Sequence, residues 1–197
     1  MDHCARKRLW PAVLGLAALI ALTGCSSAVP TETPGVDRMG EYVLRYRGPE
    51  LEAAVGYRFA ALSLGDDWLI LDIAVSGADS GTTEIRRDRI FLRTPAGETV
   101  PLATQDEFAR EYSRLRATLQ REAITADPLD YFKARTPCAL QLFTAPGEGL
   151  AFDSTTVNDR RVCSGQLFFL VPGGIQAGHW VLGIDLEESK IRIPFTL

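Results

Sequence analysis

The sequence predicts a mainly β protein, an antiparallel β-sandwich interrupted by one amphipathic helix. Apolar residues alternate at a period of two through most of the chain from Glu41 onward. Pro and Gly residues punctuate those runs as turns. A single stretch, about residues 105–122, switches instead to helical spacing.

Taken in order, Asp67 to Val75 places Leu69, Leu71, Ile73 and Val75 on one side, with Trp68, Ile70 and Asp72 on the other. Ile90 to Arg93 leads through Thr94-Pro95-Ala96-Gly97-Glu98 into Thr99 to Leu102, a hairpin in which Gly97 supplies a positive φ. Gln166 to Val171 is apolar on both faces, as a central sandwich strand requires, and Pro172-Gly173-Gly174 ends it. His179 to Leu186 alternates through Trp180, Leu182 and Ile184, and Lys190 to Leu197 through Ile191, Ile193 and Phe195. Pro194 has no amide to donate, so it confines that last strand to an edge or a bulge.

Thr104-Gln105-Asp106-Glu107 reads as a capping box, in which the Thr104 hydroxyl and the Glu107 carboxylate satisfy the first orphan amides of a helix. Phe108, Tyr112, Leu115 and Leu119 then form its apolar stripe. Arg110, Arg114 and Arg121 lie opposite, a candidate partner surface. The helix is expected to stop before Asp127-Pro128.

The N-terminus carries an address. Arg6, Lys7 and Arg8 precede an apolar run from Leu9 to Leu22, shorter than the roughly 20 residues a membrane span needs. Leu22-Thr23-Gly24-Cys25 resembles the lipobox of bacterial lipoproteins. That resemblance implies cleavage after residue 24 and diacylglyceryl transfer to the Cys25 sulfur. Ser26 after the cysteine implies delivery to the outer membrane, facing the periplasm, in a two-membrane cell. The expected organisation is a signal peptide over 1–24, a lipidated Cys25 with a flexible tether over 25–40 containing Pro30 and Pro34, and a sandwich domain over 41–197.

A chain beginning at Cys25 keeps 18 basic and 24 acidic side chains. That balance argues against nucleic acid and against charge-driven docking on anionic lipid, which leaves the acyl chains to hold the membrane. Besides Cys25, Cys138 and Cys163 remain, and an oxidising compartment favours a disulfide between them. A metal pair or a redox pair is the rival, though C-x-x-C spacing is absent. His179 is the one histidine left, so a Ser-His-Asp or Cys-His arrangement could be built only around it. The adjacent acids Asp66-Asp67 and Glu187-Glu188 read as strand-end turns, and neither Asp153 to Asp159 nor Asp79-Ser80-Gly81 has EF-hand spacing. No cofactor or metal is expected.

Arg87 to Thr99 resembles a hairpin of the telokin-like, immunoglobulin-like domains of many bacterial lipoproteins, and Gly165 to Pro172 resembles their G-x-hydrophobic-F-x-V-P strand. The resemblance implies an immunoglobulin-like sandwich serving as a binding or structural module, with no catalytic residues to carry over. The expectation is therefore a non-enzymatic, lipid-anchored envelope protein with a protein partner, the segment from Gln105 to Arg135 being its specific surface. One alternative is a small-ligand or carbohydrate-binding lipoprotein using Trp68, Tyr131 or Trp180 as a platform. Another is an inhibitor of an envelope-attacking hydrolase, which requires a protruding loop. An envelope hydrolase rests only on scattered acids and His179.

Overall fold

The computed structural model describes residues 29–78, 81–124, 129, 132 and 136–197. The expected signal peptide, Cys25 and Tyr131 lie outside them. One sheet has seven strands: β1 (Val29–Pro30), β2 (Val36–Arg38), β3 (Val43–Arg47), β4 (Leu51–Gly56) and β5 (Trp68–Gly77), then β11 (Arg161–Leu170) and β9 (Thr136–Ala139). The facing sheet has four, in the order β13 (Lys190–Thr196), β12 (His179–Asp185), β7 (Ile90–Arg93) and β8 (Thr99–Pro101). A ribbon of β10 (Ser154–Asn158) and β6 (Thr82–Arg86) accompanies them. Among the described residues the α-helices are α1 (Arg58–Leu62) and α2 (Gln105–Ala123).

The architecture is the expected β-sandwich with an amphipathic helix. Antiparallel register pairs Leu69 with Phe169, Leu71 with Leu167 and Val75 with Cys163. These residues pack against Trp180, Leu182, Ile184, Ile191 and Ile193 of the smaller sheet, and all are buried. Alternation sends Trp68, Ile70 and Phe168 to the outer face of the larger sheet, where they are also buried. The larger sheet is thus apolar on both sides and needs cover on both.

Helix α2 supplies part of that cover. The Thr104 hydroxyl accepts from the Glu107 amide at 3.1 Å, and the Glu107 carboxylate accepts from the Thr104 amide at 2.8 Å, completing the capping box. Phe108 and Leu115 are buried against Trp68, Ile70 and Phe168. Burying each contributes about 2 kcal/mol, against a few tenths for an exposed i,i+3 pair such as Arg114–Glu111. Packing therefore fixes the helix. Further along the same face, Leu129 and Phe132 cover Val43, Ala54, Ala74 and Val162.

Four details differ from the sequence reading. The tether does not run to residue 40: β1 and β2 form a hairpin on the edge of the larger sheet, and Val36 is buried beside β3 because Val36 pairs with Tyr46. The sheets are not wholly antiparallel, since β9 runs parallel to β11 after the long excursion through α2. The short helix α1 has no periodic signature at five residues. Ser154–Asn158, within the stretch weighed for calcium, is strand β10, whose side chains alternate in direction rather than converge. Pro194 falls on the edge strand β13, as expected.

A disulfide joins Cys138 and Cys163, which are direct register partners on β9 and β11. It closes a sequence separation of 25 residues. Cys138→Ser is expected to lower stability by about 3.5 kcal/mol on the chain-entropy relation, read from the denaturant midpoint; an unchanged midpoint would show that the bond is not formed. The two amide and hydroxyl bonds from Thr104 hold the Glu107 carboxyl below its ordinary value of 4.5. A depressed carboxyl stabilises the fold above that value, and the contribution fades as pH falls through the folded pKa. Glu107→Gln should remove this component from the acid-unfolding curve, and Thr104→Ala should cost about 1 kcal/mol at neutral pH.

Candidate interaction surface

At 100° per residue, Arg110, Arg114 and Arg121 fall within about 40° of one another, opposite the buried stripe, along about 16 Å of helix. All three are exposed. Arg114 lies 3.1 Å from Glu111 with its side chain 83% exposed, and Arg121 lies 3.6 Å from Asp66, with its side chain 62% exposed. The stripe therefore stands on a backbone that the buried face holds rigid. Between α2 and the turn before β5 lies a cleft of about 200 Å³, lined by Asp66, Asp67, Trp68, Glu111, Arg114, Leu115 and Thr118.

The packing of this region depends on Arg87, a residue that no local sequence pattern marks for burial. Arg87 follows β6 in a single 3₁₀ turn and is buried. Its guanidinium donates to the Ala103 carbonyl at 3.1 Å, to the Leu142 carbonyl, and to the Phe152 carbonyl at 3.3 Å. Nε sits 3.4 Å from the Asp153 carboxylate. Its face stacks 4.6 Å from the Phe143 ring centroid. Burial pushes the Arg87 pKa down and the Asp153 carboxylate pushes it back up, and an arginine keeps its charge throughout. Lysine has no planar fork to serve carbonyls from separate segments while stacking on a ring.

The contacts continue into the helix. Phe143 packs 5.3 Å from Phe108 and 4.9 Å from Phe168, and Phe108 is 4.7 Å from Phe168. The Gln105 side chain donates to the Thr144 carbonyl at 2.7 Å and accepts from the Thr144 amide at 3.1 Å. The 140–153 loop and the start of α2 are thus one packed unit. On that loop Leu150 and Phe152 stand 74% and 50% exposed. In the sequence Arg87 lies in a charged run with Arg86, Asp88 and Arg89, and no local pattern marks it for burial.

The other candidates are placed as follows. Trp68 and Trp180 are buried, 8% and 1% exposed, so neither forms an open platform: Trp68 sits under α2 and Trp180 in the inter-sheet core. His179 is exposed at the start of β12, its Nδ1 3.0 Å from the Thr196 hydroxyl. Glu187 and Glu188 lie at the opposite end of the β12–β13 hairpin, beside Glu50, Thr82 and Thr83 in adjoining clefts of about 210 and 270 Å³. Of the expected partner segment, residues 125–128, 130, 131 and 133–135 lie outside the described residues, and Leu129 is buried against the sheet rather than presented to solvent.

No family model matches the chain, and no curated protein matches it. Two solved structures are similar. The yjhA protein of Bacillus subtilis aligns at a TM-score of 0.37 and 11% identity, over 71% of this chain and 76% of that one. The ycdA protein of Bacillus subtilis subsp. subtilis str. 168, described as a candidate lipoprotein, aligns at 0.38 and 15%, over 78% of this chain. This chain spans 38% of its length. The fold is accordingly argued from the chain's own sheets.

Arg87→Met keeps most of the volume and leaves three carbonyls short of a donor. It is expected to cost about 3 kcal/mol and to raise amide exchange selectively at Leu142 and Phe152. A uniform change in exchange across both sheets would show that Arg87 does not act on this loop.

Proposed function

We propose that this chain is a lipid-anchored cell-envelope protein that acts by binding rather than by catalysis, its sandwich presenting α2 to a protein partner. The lipobox-like Leu22 to Cys25 supports the anchor, with delivery to the periplasmic face of the outer membrane where two membranes exist. The observation that carries the partner reading is the arginine stripe: three outward cations on a helix whose other side is fixed in a core. On a mature chain with an acidic excess, such a stripe selects an acidic protein surface and steers its approach. The immunoglobulin-like resemblance of Arg87 to Thr99 and Gly165 to Pro172 supports a binding module. A second reading, inhibition of an envelope-attacking hydrolase, is favoured by one observation, the exposed Leu150 and Phe152 on a loop pinned by Arg87.

Photo-crosslinking amino acids placed at Arg110, Leu150 and His179 in intact cells separate these readings. An adduct specific to the Arg110 position, lost in the Arg114→Glu/Arg121→Glu background, is the expected result. Adducts confined to Leu150 favour the inhibitor. The same adducts at all three positions, unaffected by charge reversal, would sink both.

A further inference from the structure

The direction in which the chain enters the sheet, combined with where the exposed apolar side chains lie, gives the domain an orientation. Strand β4 runs toward the end of the sandwich where α1 connects it to β5. Strand β2 runs the same way, because Val36 and Ala53 both pair with Tyr46 while Arg38 and Val55 both pair with Leu44. Strand β1 is antiparallel to β2, so the residues before Val29 arrive from the α1 end. Cys25 stands four positions before Val29. However the intervening residues are arranged, those positions span at most about 14 Å. Val55 pairs with Leu44 two positions before Tyr57 and α1 begin, a rise of about 7 Å. The α1 end therefore lies within the reach of the chain from Cys25.

That same end gathers exposed apolar side chains. Leu62 closes α1 and Leu64 follows in the turn, 68% and 49% exposed. Ile124, 86% exposed, ends α2 and is brought there by the Arg121–Asp66 pair. Leu170, 40% exposed, ends β11 opposite Trp68. The far end is polar: the clefts there are lined by Pro49, Glu50, Glu187 and Glu188 among their neighbours.

We infer that the α1 end is a lipid-contacting surface, with Leu62 and Leu64 entering the interfacial region of a phospholipid bilayer while the acidic clefts point away from it. This rests on the lipid-anchor reading. The occupant is lipid because the span from Cys25 brings the bilayer to this end before any other large partner. The contact is apolar because the mature chain's acidic excess gives charge no part in it. Arg121, paired with Asp66, is then the stripe residue nearest the membrane, and Arg110 lies about 16 Å from it along the helix.

The test uses the full-length acylated protein reconstituted in phosphatidylcholine vesicles that contain an acyl-chain nitroxide lipid. A polarity-sensitive fluorophore is attached at Leu64→Cys or, separately, at Glu188→Cys, the native Cys138 and Cys163 being held in their disulfide. The expected result is several-fold stronger quenching and a blue-shifted emission at position 64 relative to position 188. Equal quenching, stronger quenching at 188, or a position-64 probe that responds only when a protein is crosslinked to it would overturn the inference. Circular dichroism of both labelled variants, matching the wild type, excludes misfolding as the cause; both positions are at the surface. An intact mass without acyl groups, or a Cys25→Ala protein that stays with the membranes, overturns the anchor reading and this inference together. An acylated protein with equal quenching overturns only the orientation.

Discussion

The structure depends on a sheet whose middle strands are apolar on both faces. Strands β5 and β11 bury Leu69, Leu71, Leu167 and Phe169 toward the second sheet and Trp68, Ile70 and Phe168 away from it. A two-sheet sandwich can cover only one of those faces. The outer face must be covered by something else, and the chain meets that requirement with the 100–160 region, which departs from the strand pattern. Helix α2 takes one end of the face, Leu129 and Phe132 take the other, and β9 returns parallel to β11 to close the edge. The disulfide lies where that return meets the central strand.

This constraint settles the character of α2. Its apolar side is committed to the sheet, and the side that carries Arg110, Arg114 and Arg121 is left to solvent. Arg87 extends the same logic to the 140–153 loop. One buried cation serves the Ala103 carbonyl ahead of the helix and two carbonyls of the loop, and stacks on Phe143, so the loop keeps a fixed position beside the helix without forming a strand. A charge is costly to bury, and here its hydrogen bonds and a nearby carboxylate offset that cost. A surface assembled this way is preorganised, so under the proposed function binding would not cost the entropy of ordering it.

The two ends of the sandwich differ in kind. Polar clefts lie at one, exposed leucines at the other, and β1 begins at the end that holds the leucines. Under the proposed lipid anchor such polarity is consequential, because a domain held within a few residues of a bilayer would have little freedom to present any other end. The β1–β2 hairpin draws residues expected to form a loose tether into the edge of the sheet.

The sequence by itself determined the local elements. Period-two alternation marked β5, β12 and β13, the Thr-x-x-Glu box and apolar stripe marked α2 to within a residue, Pro-x-Gly marked the β7–β8 hairpin, and cysteine counting paired Cys138 with Cys163. These signals reside within a few neighbouring residues or in composition. Only the tertiary structure decided which face α2 covers, that Trp68 and Trp180 are core, that three residues around Val36 form a strand, and that Arg87 is buried. Arg87 illustrates the reason: its carbonyl partners lie 16, 55 and 65 residues away. A charged residue beside Asp88 and Arg89 has the same local pattern whether solvent or those carbonyls surround it, and burial is a property of the packed chain rather than of the pattern.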